Sequence, residues 1–237
     1  MQTKDIKQAL FGIYLTDGYL DKKDNLEVYT KFPSFHKHLI SLFSEFPNNE
    51  KKVWTKTVYN VKYNTYGYRL IARYPAYFSK FREITFEDNR KYLTDKAISK
   101  ITPVTLAYMW MGDGSMKHTK NKKTNRIQNL GRFSLESFGY LELASFCDYL
   151  QETYSIDAKL YKVPSGFGWN VSISGYHLQK FISLIYPWVQ ECFYYKTLLF
   201  YKTKSFCLYD LPSAEHFMKY YENISERDDI VQTYKKL

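Results

Sequence analysis

One short apolar run closing on Asp-Gly occurs twice in this chain, and that repeat limits what the rest can become. Leu10-Phe11-Gly12-Ile13-Tyr14-Leu15-Thr16-Asp17-Gly18 returns 96 residues later as Leu106-Ala107-Tyr108-Met109-Trp110-Met111-Gly112-Asp113-Gly114. Leu10, Ile13, Tyr14 and Asp17 fall at i, i+3, i+4 and i+7 and share one side of a helix, as do Leu106, Met109, Trp110 and Asp113. A helix apolar nearly all round is normally buried, here against its own twin. Each carboxylate sits in the last turn, where the helix dipole disfavours an anion. Gly18 and Gly114 then let the chain turn away. An acid at that pole of a buried helix needs a cation as compensation.

The segments around the two runs also correspond. Thr3 is a candidate cap for the first helix, and Thr102 for the second, with Pro103 at its first position. In the first half, β-type runs at 19–20 and 26–32 precede an amphipathic helix opening at Ser34, with Leu39, Leu42, Phe43 and Phe46 inward. Strands over 52–62 and 66–74, joined around Tyr63-Asn64-Thr65, lead to a short helix over 75–82. In the second half, Ser115-Met116-Lys117 reads as a polar loop before a strand at 127–134. A helix over 135–154 follows, then strands at 157–163 and 168–174 around Pro164-Ser165-Gly166, and a helix from Gly175 to Trp188. The 96-residue period holds one whole αββαββ unit, so this is a duplicated domain and not a solenoid. The expected divisions are residues 1–83, a linker at 84–101, a second half at 102–202 and a helical extension at 203–237. Between Phe206 and Val231 acids outnumber bases, which should keep the extension off an anionic partner.

Charge indicates what the partner is. Lys and Arg number 34 against 24 Asp and Glu, a net +10 with a pI near 9.2, which favours an acidic polymer. Eight basic residues and no acid lie between 51 and 82, and six with no acid between 114 and 134. Either tract alone could be a solvated surface; two in matching positions of a repeat point to DNA. Alternation sets Lys52, Trp54, Lys56 and Val58 on one face, with Val53, Thr55 and Thr57 on the other. A twisted antiparallel ribbon fits the major groove, where some polar side chains read base edges and other cations hold phosphates. The residues expected to meet DNA are Lys31, Lys52, Lys56, Lys62, Arg69, Arg73, Lys117, Lys120, Lys122, Lys123, Arg126, Gln128, Arg132, Lys159, Lys162 and Asn170. Trp54 and Trp169 read as core, and His36 and His38 as surface or DNA-contacting.

Other classes are disfavoured. Cys147, Cys192 and Cys207 have no metal-ligand spacing and suggest reduced thiols, as in a bacterial or phage-infected cytoplasm or an organelle matrix. No run approaches the roughly 18 apolar residues of a membrane span, and no leader sequence is expected. Neither a nucleophile triad nor a glycine-rich phosphate loop is recognisable. If the two helix ends meet, Asp17 and Asp113 repel, so one is protonated or metal ions neutralise both. Oxygen ligands with bound water suit Mg²⁺. Paired ions about 3.5–4 Å apart stabilise the attacking and leaving oxygens of a phosphodiester displacement.

The paired runs resemble the motifs of the LAGLIDADG homing endonucleases in their single-chain, two-motif form. Gly12, Asp17 and Gly18 match the first motif; Leu106, Ala107, Asp113 and Gly114 match the second. The chain departs from the pattern at Phe11, where the family has a small residue, and at Tyr108, where it usually has glycine. Leu15 and Met111 replace the first acid, a position many members vary. The resemblance spans about residues 5–200. It implies an α/β (α+β) fold of two pseudo-symmetric αββαββα halves, motif helices packed at the junction, and two antiparallel sheets forming a saddle over duplex DNA. It further implies Asp17 and Asp113 as metal ligands, assisted by the carbonyls of Thr16 and Gly112, with each half cutting one strand. The family's lysine near the end of each half corresponds to Lys91 and Lys196, Arg90 being an adjacent competitor for the first.

The expected function is therefore a monomeric, sequence-specific, Mg²⁺-dependent DNA endonuclease encoded in an intron, an intein or a free-standing mobile gene. Mn²⁺ should substitute, and Ca²⁺ should bind without supporting cleavage. Two rivals are an RNA maturase acting on its host intron RNA and a non-cleaving DNA-binding regulator.

Overall fold

A computed structural model of the chain describes residues 1–46, 52–60, 65–87, 90–120, 127–163, 166 and 168–197. Helix α1 (Thr3–Leu15) carries the first motif and α5 (Pro103–Asp113) the second. The two pack against each other as the repeat predicts. Ile6, Leu10, Ile13 and Tyr14 of α1 and every residue from Val104 to Met111 of α5 are buried. At the crossing the backbones nearly touch. A Cβ added to Gly12 would lie 2.5 Å from the Thr105 carbonyl oxygen and 2.9 Å from Tyr108 Cβ. Only a hydrogen fits there, so Gly12 makes room for Tyr108. The Tyr108 ring stacks on His38, whose Nε2 lies 2.6 Å from the Tyr108 hydroxyl. His38, read as a surface or DNA-contacting residue, is thus partly buried, and desolvation pushes its pKa down to about 4. Further along, the Thr105 and Thr102 hydroxyls donate to Gln8 Oε1 at 2.6 and 3.3 Å.

Each half builds one four-stranded antiparallel sheet. The first comprises β1 (Gly18–Leu20), β2 (Asn25–Thr30), β3 (Lys52–Asn60) and β4 (Thr65–Arg73), in the order β1-β2-β4-β3. Helices α2 (Pro33–Glu45) and α3 (Pro75–Thr85) back it. The second half holds β7 (Gly114–Lys120), β8 (Ile127–Phe133), β9 (Ala158–Lys162) and β10 (Trp169–Ser174), in the equivalent order β7-β8-β10-β9. Its backing helices are α6 (Tyr140–Tyr154) and α7 (Gly175–Ile185). Leu26, Val28, Leu70 and Ala72 in one sheet, and Phe133, Val171 and Ile173 in the other, are buried beneath the helices. Opposite parities on the same strands are left facing outward.

Several local expectations need correction. Residues 115–117 belong to β7, paired along its length with β8, because Gly114 and Met116 turn inward while Ser115 and Lys117 turn out. Helix α6 starts at Tyr140, not at 135; the Glu142 carboxylate accepts from the Gly139 amide at 2.5 Å and fixes that start. Gln2 takes the first N-cap position in place of Thr3, with no side-chain bond, whereas Thr102 caps α5 as expected. Helix α2 begins one residue before Ser34. After Ile185 the chain tightens into a 3₁₀ turn, Tyr186–Trp188, where Pro187 lacks an amide donor. Gly18 and Gly114 do not adopt positive φ. They are needed for space: a Cβ would fall 2.7 Å from Tyr14 Cα at Gly18 and 2.3 Å from the Trp110 ring at Gly114.

Residues 84–101 are more than a tether. They form the two-stranded β5 (Phe86–Glu87) and β6 (Arg90–Lys91) and the short helix α4 (Asp95–Ile98), whose cap Thr94 accepts from Ala97. Glu142 of the second half accepts from the Leu93 amide at 2.6 Å and pairs with Arg90 at 3.2 Å. The connection is thereby clamped where it delivers Lys91. The turn at 63–64, Lys62, Lys122, Lys123, Arg126, Cys207 and the extension at 203–237 lie outside the described residues.

The contact at the crossing generates a prediction. Gly12→Ala should destabilise the fold by about 1–3 kcal/mol through overpacking, read as a lower denaturant midpoint at unchanged m-value. An unchanged midpoint would mean that α1 and α5 are not in backbone contact.

Candidate active site and nucleic-acid interface

Helix α1 ends at Leu15, and Thr16 leaves helical geometry, so Asp17 stands just beyond the last turn; Asp113 is the final residue of α5. The two ends come together. A Cβ on Gly112 would meet Thr16 Oγ1 at 2.6 Å and Asp17 Oδ2 at 3.0 Å. Asp17 therefore lies against the backbone of the opposite motif, one residue from Asp113. Its tip reaches solvent and Asp113 is half-buried, yet protein atoms crowd both carboxylates. That crowding strips water and raises the pKa of Asp17, with the charges of Lys196 and Lys91 opposing. Asp113 is pushed up to about 7, first by desolvation and then by the neighbouring Asp17 charge.

Lys91 and Lys196 converge on the same point. Lys91 reaches in from β6; its Nζ donates to the Tyr14 carbonyl at 2.8 Å and lies 5.1 Å from the Tyr14 ring centre. Desolvation lowers its pKa to about 8, against the favourable charges of Asp113 and then Asp17. Lys196 belongs to the 3₁₀ segment Glu191–Thr197. Its Nζ donates to the carbonyls of Met111 and Gly112 at 2.6 and 2.9 Å, while the buried Trp110 indole donates to its backbone carbonyl at 2.8 Å. Both ammoniums thus sit at carbonyl ends of the motif helices, where a cation is favoured. Neither belongs to one half alone, because each carboxylate feels both lysines. The Gly112 carbonyl, expected as a metal ligand, is already accepting from Lys196, and the Thr16 hydroxyl donates to the Gly12 carbonyl at 3.1 Å.

The residues present suit a divalent cation. The candidate donors are oxygens, and burial together with the mutual repulsion of Asp17 and Asp113 disfavours two bare carboxylates there, a cost that a divalent cation would offset. Among the described residues no group of three or more His, Cys, Asp or Glu side chains gathers in one place. Donors beyond the two carboxylates would have to be carbonyls, water or phosphate oxygens of a substrate.

Outward from this centre, the strand register sorts the residues expected to meet DNA. On the first sheet Lys52 stands opposite Arg73, Lys56 opposite Arg69 and Arg69 opposite Tyr29, all on the face away from the helices and all exposed. Lys31 follows β2 with the same parity and is exposed. On the second sheet Ser115 and Ser172 flank Arg132, and Lys159 follows across β9. Lys117 and Gln128 share that face, and Arg132 packs its guanidinium over the Tyr161 ring at 4.9 Å. Lys120 ends β7.

Three expectations are corrected here. Asn170 is 3% exposed; its amide oxygen accepts from the Leu135 backbone at 3.1 Å and its nitrogen donates to Glu136 at 2.8 Å, so its polar groups serve the fold. Lys162 pairs with Trp169, whose ring packs on Tyr140 of α6, which places Lys162 on the helix side at the exposed end of β9. Trp169 is core-associated as expected, but Trp54 is 47% exposed on the outward face. Glu27 also lies on that face and was overlooked; the alternation Leu26, Val28, Thr30 inward would have revealed it.

A repeated αββαββα unit, paired through acid-tipped helices and presenting two basic sheets, defines a duplicated two-motif α+β protein. The profile of the LAGLIDADG DNA endonuclease family matches residues 7–181, and the chain belongs to that family. Its fold is similar to the homing endonuclease I-WcaI bound to its DNA recognition sequence: TM-score 0.68, 20% identity, 83% of this chain and 87% of that one covered. It also resembles the N-terminal LAGLIDADG domain of DUF199/WhiA, with TM-score 0.50 and 16% identity over 78% of this chain and 84% of that one. In sequence it is 28% identical to Protein RecA of Mycobacterium gastri over 114 residues, 47% of this chain but only 27% of that protein.

The raised Asp113 fixes a sign. Folded Asp113 keeps its proton between the ordinary carboxylate range and about 7, whereas the unfolded chain has lost it, so this group's contribution to stability falls as pH rises through that window. Metal-free protein should lose more melting temperature between pH 5 and 7 than Asp113→Asn does, and added Mg²⁺ should restore more at pH 7 than at pH 5. Parallel pH profiles for the two proteins would contradict the burial of this carboxylate.

Proposed function

We propose that the chain is a monomeric, sequence-specific homing endonuclease that hydrolyses both strands of a long, asymmetric double-stranded DNA site. The observation that carries this reading is the convergence of Asp17 and Asp113, with Lys91 and Lys196, where the two motif helices end. Asp17 and Asp113 would hold Mg²⁺, with Mn²⁺ as a substitute and Ca²⁺ as a binding but non-activating ion. When bound, such ions supply Lewis-acid polarisation of the scissile phosphate and lower the pKa of a water.

The chain's own groups supply the rest. The outward sheet cations Lys52, Lys56 and Arg73, with Lys117, Arg132 and Lys159 of the second half, bind and orient the duplex along its phosphates. Lys91 and Lys196, preset by their bonds to helix-end carbonyls, neutralise charge that develops on the phosphoryl oxygens. Each half serves one strand, and the clamped connection carrying Lys91 keeps the two centres in register. The reading includes a reducing compartment and a mobile genetic element as host. Among the described residues no helix is long and apolar enough to cross a membrane.

Asp17→Asn and Asp113→Asn should each lower double-strand cleavage at least 100-fold while leaving DNA affinity within a few-fold, and a single variant should accumulate nicked product. Cleavage by wild-type protein on a substrate selected from a randomised library, with Mg²⁺ and then Ca²⁺, is the direct test. Binding without cleavage under any divalent ion would point to a DNA-binding regulator.

A further inference from the structure

Glu27 is out of place on electrostatic grounds. The outward face of the first sheet carries Lys31, Lys52, Lys56, Arg69 and Arg73, and a carboxylate there repels the phosphates that the others attract. Glu27 is held in position nonetheless. Arg69 Nη2 and Nε both donate to Glu27 Oε2, at 2.6 and 3.1 Å. Both side chains remain open to solvent, at 45% for Arg69 and 24% for Glu27. An exposed ion pair adds little to stability, so fold maintenance is a weak reason to place an acid there.

The geometry leaves complementary groups free. Arg69 has spent one Nε and one Nη2 hydrogen on a single carboxylate oxygen, which leaves Nη1 and the second Nη2 hydrogen as donors. Both bonds go to Oε2, so Glu27 Oε1 remains an acceptor. A fork of donors beside an acceptor matches the major-groove edges of one base pair: guanine O6 and N7 accept, and cytosine N4 donates. The surroundings agree. Gly67, beneath the Tyr29 ring, has no room for a side chain: an added Cβ would lie 2.0 Å from the Tyr29 hydroxyl. On the other side, the registered row Tyr19, Glu27, Ile71, Trp54 sets apolar groups next to the carboxylate, with Tyr19 61% and Trp54 47% exposed.

We propose that Arg69 and Glu27 form one base-reading unit that fixes a single G·C pair in the half-site of the N-terminal half, Arg69 on the guanine and Glu27 on the cytosine. This rests on the reading of the chain as a DNA-binding endonuclease, and it assigns part of that site's specificity. The experiment is selection by binding from a randomised duplex library with the full chain in Ca²⁺, so that the readout does not depend on cleavage. Wild type should return one near-invariant G·C position in one half-site. Arg69→Lys keeps the charge but loses the planar fork; it should relax that position by about 10- to 100-fold and leave the salt dependence of total binding in place. Glu27→Gln should relax the same position and no other. Position profiles identical to wild type in both variants, with only the melting temperature changed, would reduce the pair to a surface ion pair and overturn the assignment. So would relaxation spread evenly over the half-site. Failure of wild type to select any sequence would overturn this assignment together with the DNA-binding reading, whereas selection without cleavage in Mg²⁺ would remove only the nuclease.

Discussion

The near-contact of two helix backbones at Gly12 and Thr105 is the constraint on which the rest of the molecule depends. Because α1 and α5 cross this closely, their carbonyl ends arrive side by side and carry Asp17 and Asp113 with them. A wider separation would let water between the carboxylates and return their pKa values towards those of exposed acids. The same proximity explains the lysines. Each ammonium answers helix-end carbonyls first and the acids second, so the cationic half of the site is built into the fold before any ligand arrives.

How much of this could be read from the sequence follows from the kind of signal involved. The repeat of Leu10 to Gly18 at Leu106 to Gly114 is a pattern of side chains, and it gave the helix pairing, the unit order and the convergent acids. Strand alternation likewise placed Lys52, Trp54, Lys56 and Val58 on one face, and the register bears it out. What escaped was decided by backbone atoms or tertiary partners. No pattern announces that the Tyr14 carbonyl holds Lys91, or that the Glu142 carboxylate turns the linker into a clamp. Asn170 has the right parity for a groove, but Leu135 and Glu136 fold over it and take its amide. β7 was missed because its inward positions are Gly114 and Met116, a weak apolar signal beside the polar residues between them.

The two sheets share a topology but differ in how they hold their cations. On the first, Arg69 is steered by a carboxylate; on the second, Arg132 lies over the Tyr161 ring. An ion pair orients a guanidinium edge-on, while an aromatic face holds it flat. The outward faces of the two halves have thus diverged into different chemistry: by register Arg132 stands at the place of Glu27, and Arg69 at the place of Asn170.

The crossing itself has diverged too. Gly12 and Tyr108 occupy equivalent places in the two copies and meet each other across the pseudo-dyad. Two C-terminal halves brought together would set one Tyr108 Cβ against another where only a hydrogen now fits, and two N-terminal halves would lack the phenol that stacks on His38. At this crossing each half is shaped to the other and not to a second copy of itself.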